Sequence, residues 1–108
     1  MATVELTTDN FTNTLNDNDI VLIDFWADWC GPCKRFSPIF DKVSDQHDDV
    51  VFGKIDTEEN QELSASLGIQ SIPPTVMAFK QGTLVFSQPG LMTAGKLNDL
   101  IGKVREMA

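Results

Sequence analysis

Cys30 and Cys33 stand three positions apart in Trp29-Cys30-Gly31-Pro32-Cys33-Lys34, and the 108-residue chain has no other cysteine. Two thiols at that spacing can close into a disulfide and reopen, which is redox chemistry contained in four residues. The run before them, Ile20-Val21-Leu22-Ile23-Asp24-Phe25-Trp26, is largely apolar and reads as a buried strand. Phe36, Ile39, Phe40 and Val43 after them recur at helical spacing. The pair therefore falls where a strand ends and a helix begins. A helix N-terminus offers unpaired N–H groups and a partial positive charge, and both favour a thiolate over a thiol. Cys30, ahead of the helix and open to solvent, is expected to be the nucleophile; Cys33, inside the first turn, is expected to be more covered.

The remaining elements follow from pattern. Val4-Glu5-Leu6 is a short strand, and Thr7, Thr8 or Asp9 can cap a first helix carrying Phe11 and Leu15. After strand 20–26, a helix runs to about Gln46 with Pro38 inside it, which predicts a kink. A strand over 50–55 follows, and Asp56 with Glu59 resembles a capping box for a helix through Leu63 and Leu67, stopped by Gly68. Strands 75–79 and 83–86 flank Gln81-Gly82 as a tight hairpin. A last helix begins near Thr93 with Leu97, Leu100, Ile101 and Val104 on one face. The order βαβαβαββα implies an α/β fold, a mixed five-stranded sheet flanked by four helices. In such sheets sites gather beyond the carboxyl ends of the strands, where Cys30 lies.

Composition narrows the function. The length suits one domain spanning 1–108, and 42% hydrophobic with 22% charged residues describes an ordinary globular chain. A formal charge of −8, with only eight Lys and Arg, argues against nucleic acid as a partner, since phosphate binding wants a basic face. Residues 1–19 lack a basic segment leading into an apolar stretch, and no apolar run is long enough to span a membrane. A lone thiol pair in such a chain is expected in a reducing cytoplasm. A disulfide closing so small a loop constrains little of the unfolded chain, so a structural bridge explains the cysteines poorly. Zinc needs four ligands and only two thiols exist, so no metal is expected.

The segment Asp24-Phe25-Trp26-Ala27-Asp28-Trp29-Cys30-Gly31-Pro32-Cys33-Lys34, with Ile72 to Thr75 and Gly90, resembles the thioredoxin family, and the match covers essentially the whole chain. The resemblance implies the thioredoxin fold and a protein-disulfide reductase active in cell redox homeostasis, monomeric and re-reduced by a thioredoxin reductase that draws on NADPH. No cofactor is expected in this chain itself, which has no G-x-G-x-x-G fingerprint. Cys30 would attack a substrate disulfide, and Cys33 would resolve the mixed disulfide. The family's buried acid corresponds to Asp24, whose neighbours Leu22, Ile23, Phe25 and Trp26 are apolar on both strand faces. Burial would raise its pKa and let it move the Cys33 proton, with help from a lysine matching Lys54. Trp29, Gly31 and Pro32 match the substrate-contact surface, and Pro89, Gly90 and Leu91 another side of the groove. Trp26, Phe36 and Phe40 are expected in the core, and His47 at a solvated helix end.

One departure stands out. The family has a single cis-proline before Thr, whereas this chain reads Ile72-Pro73-Pro74-Thr75. Pro74 is expected to be the cis residue, because a one-residue shift would turn the following strand inside out. Pro73 then occupies the place of a substrate-pairing N–H and has none, a loss of about 1 kcal/mol unless the loop absorbs the extra residue. Two other functions fit the same fold. A disulfide oxidase is disfavoured because Gly31-Pro32 carries no histidine to stabilise the thiolate. A non-catalytic subunit of a larger assembly would not need the thiols at all.

Overall fold

The computed structural model describes residues 2–69 and 74–107. Its elements in chain order are β1 (Thr3–Glu5), α1 (Phe11–Asp17), β2 (Ile20–Trp26), α2 (Gly31–Ser44), β3 (Val51–Asp56), α3 (Gln61–Ser66), β4 (Thr75–Lys80), β5 (Thr83–Pro89) and α4 (Ala94–Arg105). The strands form one sheet in the order β1-β3-β2-β4-β5, parallel from β1 to β2 and antiparallel from β2 to β5. This is the mixed sheet with four helices that the sequence predicts.

Side chains alternate across β2 and so divide the core. Ile20 and Leu22 join Phe52, Val76 and Ala78 beneath Phe36, Phe40 and Val43 of α2 and Leu97, Leu100, Ile101 and Val104 of α4. Val21, Ile23 and Phe25 point the other way with Ile55, Met77 and Phe79, against Phe11 and Leu15 of α1 and Leu63 of α3. Central strands covered on both faces explain why 20–26 reads as almost continuously apolar. Asp24 shares the parity of Leu22 and so points toward α2, into the larger core.

Local chemistry moves several boundaries. Asn10, rather than Thr7, Thr8 or Asp9, precedes α1, because Thr7 N–H bonds Asn10 Oδ1 (2.8 Å) and the three candidates form the turn ahead of it. Asp56 is no capping residue: it ends β3 opposite Trp26, and its Oδ1 accepts from Glu58 N–H (2.9 Å), so α3 waits until Gln61. Thr57 N–H and Oγ1–H both bond Trp26 O, which prolongs that turn. The helix then stops before Gly68, which takes φ +80° as a glycine can. α2 runs through Pro38 as one continuous element. Gln81 and Gly82 both take positive φ, the signature of the primed hairpin turn. β5 extends three residues beyond 83–86, and a bulge near Ala78/Phe79 shifts its register.

His47 is not a solvated helix end. It is half-buried, its Nε2 lies 2.6 Å from Asn98 Oδ1 and its Nδ1 2.9 Å from Arg105 Nη2. Arginine only donates, so Nδ1 accepts and Nε2–H donates to Asn98. Arg105 also pairs with Asp49 and holds that carboxylate below its usual range. The polar set straps the loop after α2 to α4.

Candidate active site

Cys30 is the N-cap of α2, with extended backbone (φ −96°, ψ 108°), and its Sγ accepts a hydrogen bond from Cys33 N–H at 3.1 Å. The chain must leave β2 and enter a helix within four residues, and Pro32 suits the first turn because its absent N–H would have had no intrahelical partner. Cys30 and Cys33 are joined by a disulfide with Cα atoms 5.3 Å apart. A sulfur receiving a backbone N–H at the positive end of a fourteen-residue helix is well placed to carry negative charge once that bond opens.

The expected difference in exposure between the two cysteines is absent. Cys30 is 2% and Cys33 3% exposed, because both pack with Ala27 in a small cluster against Trp26. The two are set apart by position, cap against first turn. Trp26 is half-buried rather than core, since β2 ends there, and it lines a cleft of about 220 Å³ with Ala27, Asp28, Cys33, Lys34, Ser37 and Lys54. Phe36 and Phe40 are fully buried, as expected.

Around the disulfide the surface is open. Trp29 is 59% exposed, Gly31 and Pro32 are exposed, and Leu91 is 43% exposed. The carboxyl end of β2, the start of β4 and the end of β5 meet at this edge: Thr75 pairs with Phe25 on one side and Pro89 on the other. Gly90 N–H donates to Pro74 O at 2.7 Å, and Gly90 takes φ +97°, a conformation that favours glycine. The structure thus brings Pro74, Pro89, Gly90 and Leu91 to the same end of the sheet as Cys30. Ile72 and Pro73 lie outside the described residues, and with them the bond between the two prolines.

Asp24 is buried, 1% exposed, and neither carboxyl oxygen has a hydrogen-bond partner among the described residues. Burial pushes its pKa up to about 7; Lys54 pulls it down through space, and Asp41 pushes it up. Lys54 is its register partner on β3 but binds elsewhere. Its Nζ donates to Ser37 Oγ at 2.6 Å and lies 2.8 Å from Asp41 Oδ1, an ion pair by distance whose angle falls short of a hydrogen bond. Sequence reasoning missed Ser37 and Asp41; their spacing of four on the α2 face above β3 was the available signal. It also missed Glu58, whose carboxylate accepts from Trp29 Nε1–H across the turn after β3. Among the described residues no three His, Cys, Asp or Glu side chains gather to hold a metal, and no helix is long and apolar enough to cross a membrane.

A two-cysteine disulfide on a helix cap, at the carboxyl edge of a mixed sheet and beside an exposed tryptophan, defines a protein that exchanges dithiol for disulfide. The thioredoxin family model matches residues 2–103, and the chain belongs to the thioredoxin family. It is 50% identical over 106 residues to the protein designated thioredoxin 2 in Streptomyces coelicolor, an alignment covering 98% of this chain and 78% of that one. It is also 50% identical over 78 residues to thioredoxin C-3 of Corynebacterium nephridii, covering 71% of this chain and 54% of that one. Among solved structures, a point mutant of Halobacterium salinarum thioredoxin superposes with a TM-score of 0.89 at 35% identity, covering 97% of this chain and 92% of that one. Plasmodium falciparum thioredoxin gives 0.83 at 34%, covering 92% and 96%. The chain is a thiol–disulfide oxidoreductase.

Proposed function

We propose that this chain reduces disulfides in other proteins through Cys30 and Cys33, as one domain and as a monomer in the cytoplasm. The Cys30 thiolate attacks a substrate disulfide; one substrate sulfur leaves with the electron pair and the other stays bonded to Cys30. Cys33 gives up its proton to the Asp24 carboxylate and attacks Cys30 Sγ. The Cys30–substrate bond breaks, the substrate leaves as a second thiolate, and the protein is left with the Cys30–Cys33 disulfide. Lys54 acts on Asp24 through its charge. Trp29, Gly31, Pro32, Pro74, Gly90 and Leu91 form the groove that receives the substrate chain, and the family resemblance adds Ile72 and Pro73 to the substrate-binding set. A thioredoxin reductase returns two electrons to the disulfide, so the protein carries electrons between that enzyme and its substrates.

One observation carries this reading: the Cys30 sulfur accepts the Cys33 N–H at the start of α2. The same contact that caps the helix stabilises the attacking thiolate and holds the resolving residue beside it. The test is dithiothreitol-driven reduction of insulin by the wild type and by Cys30→Ser. Wild-type turnover that vanishes in the variant is the expected result; a folded wild type that does not turn over would overturn the reading. Coupling to NADPH and thioredoxin reductase, followed at 340 nm, tests the recycling step separately.

A further inference from the structure

Register partners on adjacent parallel strands point the same way, so Asp24 and Lys54 both face α2. Adjacent strands run about 4.8 Å apart, well within the reach of a lysine side chain. An ammonium group could therefore close onto the Asp24 carboxyl. It turns instead to Ser37 Oγ and Asp41 Oδ1 on the helix above. The Asp24 oxygens are left with no hydrogen-bond partner among the described residues, although Asp24 is almost wholly buried.

We propose that Ser37 and Asp41 are positioning residues that hold the Lys54 ammonium group clear of the Asp24 carboxyl, so that this carboxyl stays unpaired and retains its affinity for a proton. Ser37 and Asp41 are one helical turn apart and present a hydroxyl and a carboxylate to one ammonium group. One hydrogen bond and one ion pair hold a flexible side chain that would otherwise be drawn to any nearby carboxylate. The charged groups facing Asp24 are few: Lys54 from β3 and Asp41 from α2, while its β4 neighbour Val76 is apolar. Burial opposes ionisation of Asp24, and the two charges act in opposite senses upon it. A direct Lys54–Asp24 pair would stabilise the carboxylate and weaken it as a base. The idea bears on function through the reading of Asp24 as the acceptor of the Cys33 proton: S–H and carboxylate become thiolate and carboxylic acid, with no other reactant needed.

Ser37 is the clean probe, because it carries no charge and can reach Asp24 electrostatically only through Lys54. The experiment follows the Asp24 side-chain carboxyl by carbon-13 NMR across pH in the reduced protein, for wild type, Ser37→Ala, Lys54→Gln and the double variant. Ser37→Ala is expected to move the midpoint down by about half a pH unit, and Lys54→Gln to move it up. In the Lys54→Gln background Ser37→Ala should have no effect, the mark of a residue acting through another. Asp41→Asn should also lower the midpoint, and by less when Lys54 is absent. A wild-type midpoint in Ser37→Ala, or the same downward shift without Lys54, would overturn the proposal. Stopped-flow measurement of mixed-disulfide resolution against pH separates the two ideas. If the NMR midpoint shifts as expected but the rate profile stays still, Lys54 is positioned as described and Asp24 is not the proton acceptor.

Discussion

Glu58 illustrates how a side chain outside the motif sets the behaviour of one inside it. Trp29 is the most exposed large apolar residue in the described structure, and an indole left free would sample several rotamers. Its N–H donates to Glu58 instead, which fixes the ring beside Cys30 and spares a bound substrate part of the ordering cost. Glu58→Ala is therefore expected to raise KM for insulin about two- to fivefold, equivalent to about 0.5–1 kcal/mol at an exposed site, with kcat nearly unchanged. Steady-state kinetics check this; a fall in kcat at constant KM would assign Glu58 another role. The Cys30 motif was legible from residue types alone, whereas Glu58 is separated from Trp29 by 29 positions and meets it only because β2 and β3 end side by side.

At the scale of elements, Gly53 is a place where packing dictates residue type. It lies on β3 between Phe52 and Lys54, paired with Val4 of β1 and Ile23 of β2. A methyl group there would overlap Cδ1 and Cγ of Leu6, which is buried and tied by its N–H to Lys54 O at 2.8 Å. Gly53→Ala is expected to destabilise the protein by about 1–3 kcal/mol, the usual cost of overpacking a filled core. Urea denaturation would show a lower midpoint at unchanged m-value; an unaltered midpoint would mean that Leu6 yields freely. The strands, the hairpin and the start of α4 near Thr93 could be anticipated because period and turn chemistry are local. Thr93 Oγ1 accepts Lys96 N–H at 3.2 Å and so caps α4. The late start of α3 could not be anticipated, since Asp56 and Thr57 are claimed by the end of β3 and by Trp26.

For the molecule as a whole, a buried carboxyl makes stability depend on pH. Burial pushes the Asp24 carboxyl up to about 7 in the native state, from 3.8 when the chain is unfolded. Between those values the unfolded chain has released the proton and the native chain still holds it, so stability falls as pH rises through that window. Above about 7 the native carboxyl ionises too and the penalty levels off, at about 4 kcal/mol as an upper bound. Asp19 and Asp49, held low by Lys80 and Arg105, act in the opposite sense only at more acid pH. Asp24→Asn should remove the Asp24 slope, so its stability relative to wild type should rise from pH 4 to about pH 7, flatten above that, and be clearly higher at pH 8 than at pH 4. Urea unfolding of the oxidised proteins at those two values tests this. A difference that did not change with pH would mean that Asp24 ionises normally despite its burial.

The sequence alone determined the redox pair, the strand before it, the helix after it, the order of elements and the burial of Asp24, because each is written in residue types a few positions apart. Even the double proline was visible there as a departure. Only the tertiary structure decided that Cys30 and Cys33 are covered alike, that Trp26 borders a cleft, that His47 is a strap, and that Lys54 answers to Ser37 and Asp41 rather than to Asp24. Those outcomes depend on which of several reachable partners a polar side chain takes, or on what covers a surface. Both are settled by the placement of residues far apart in the chain.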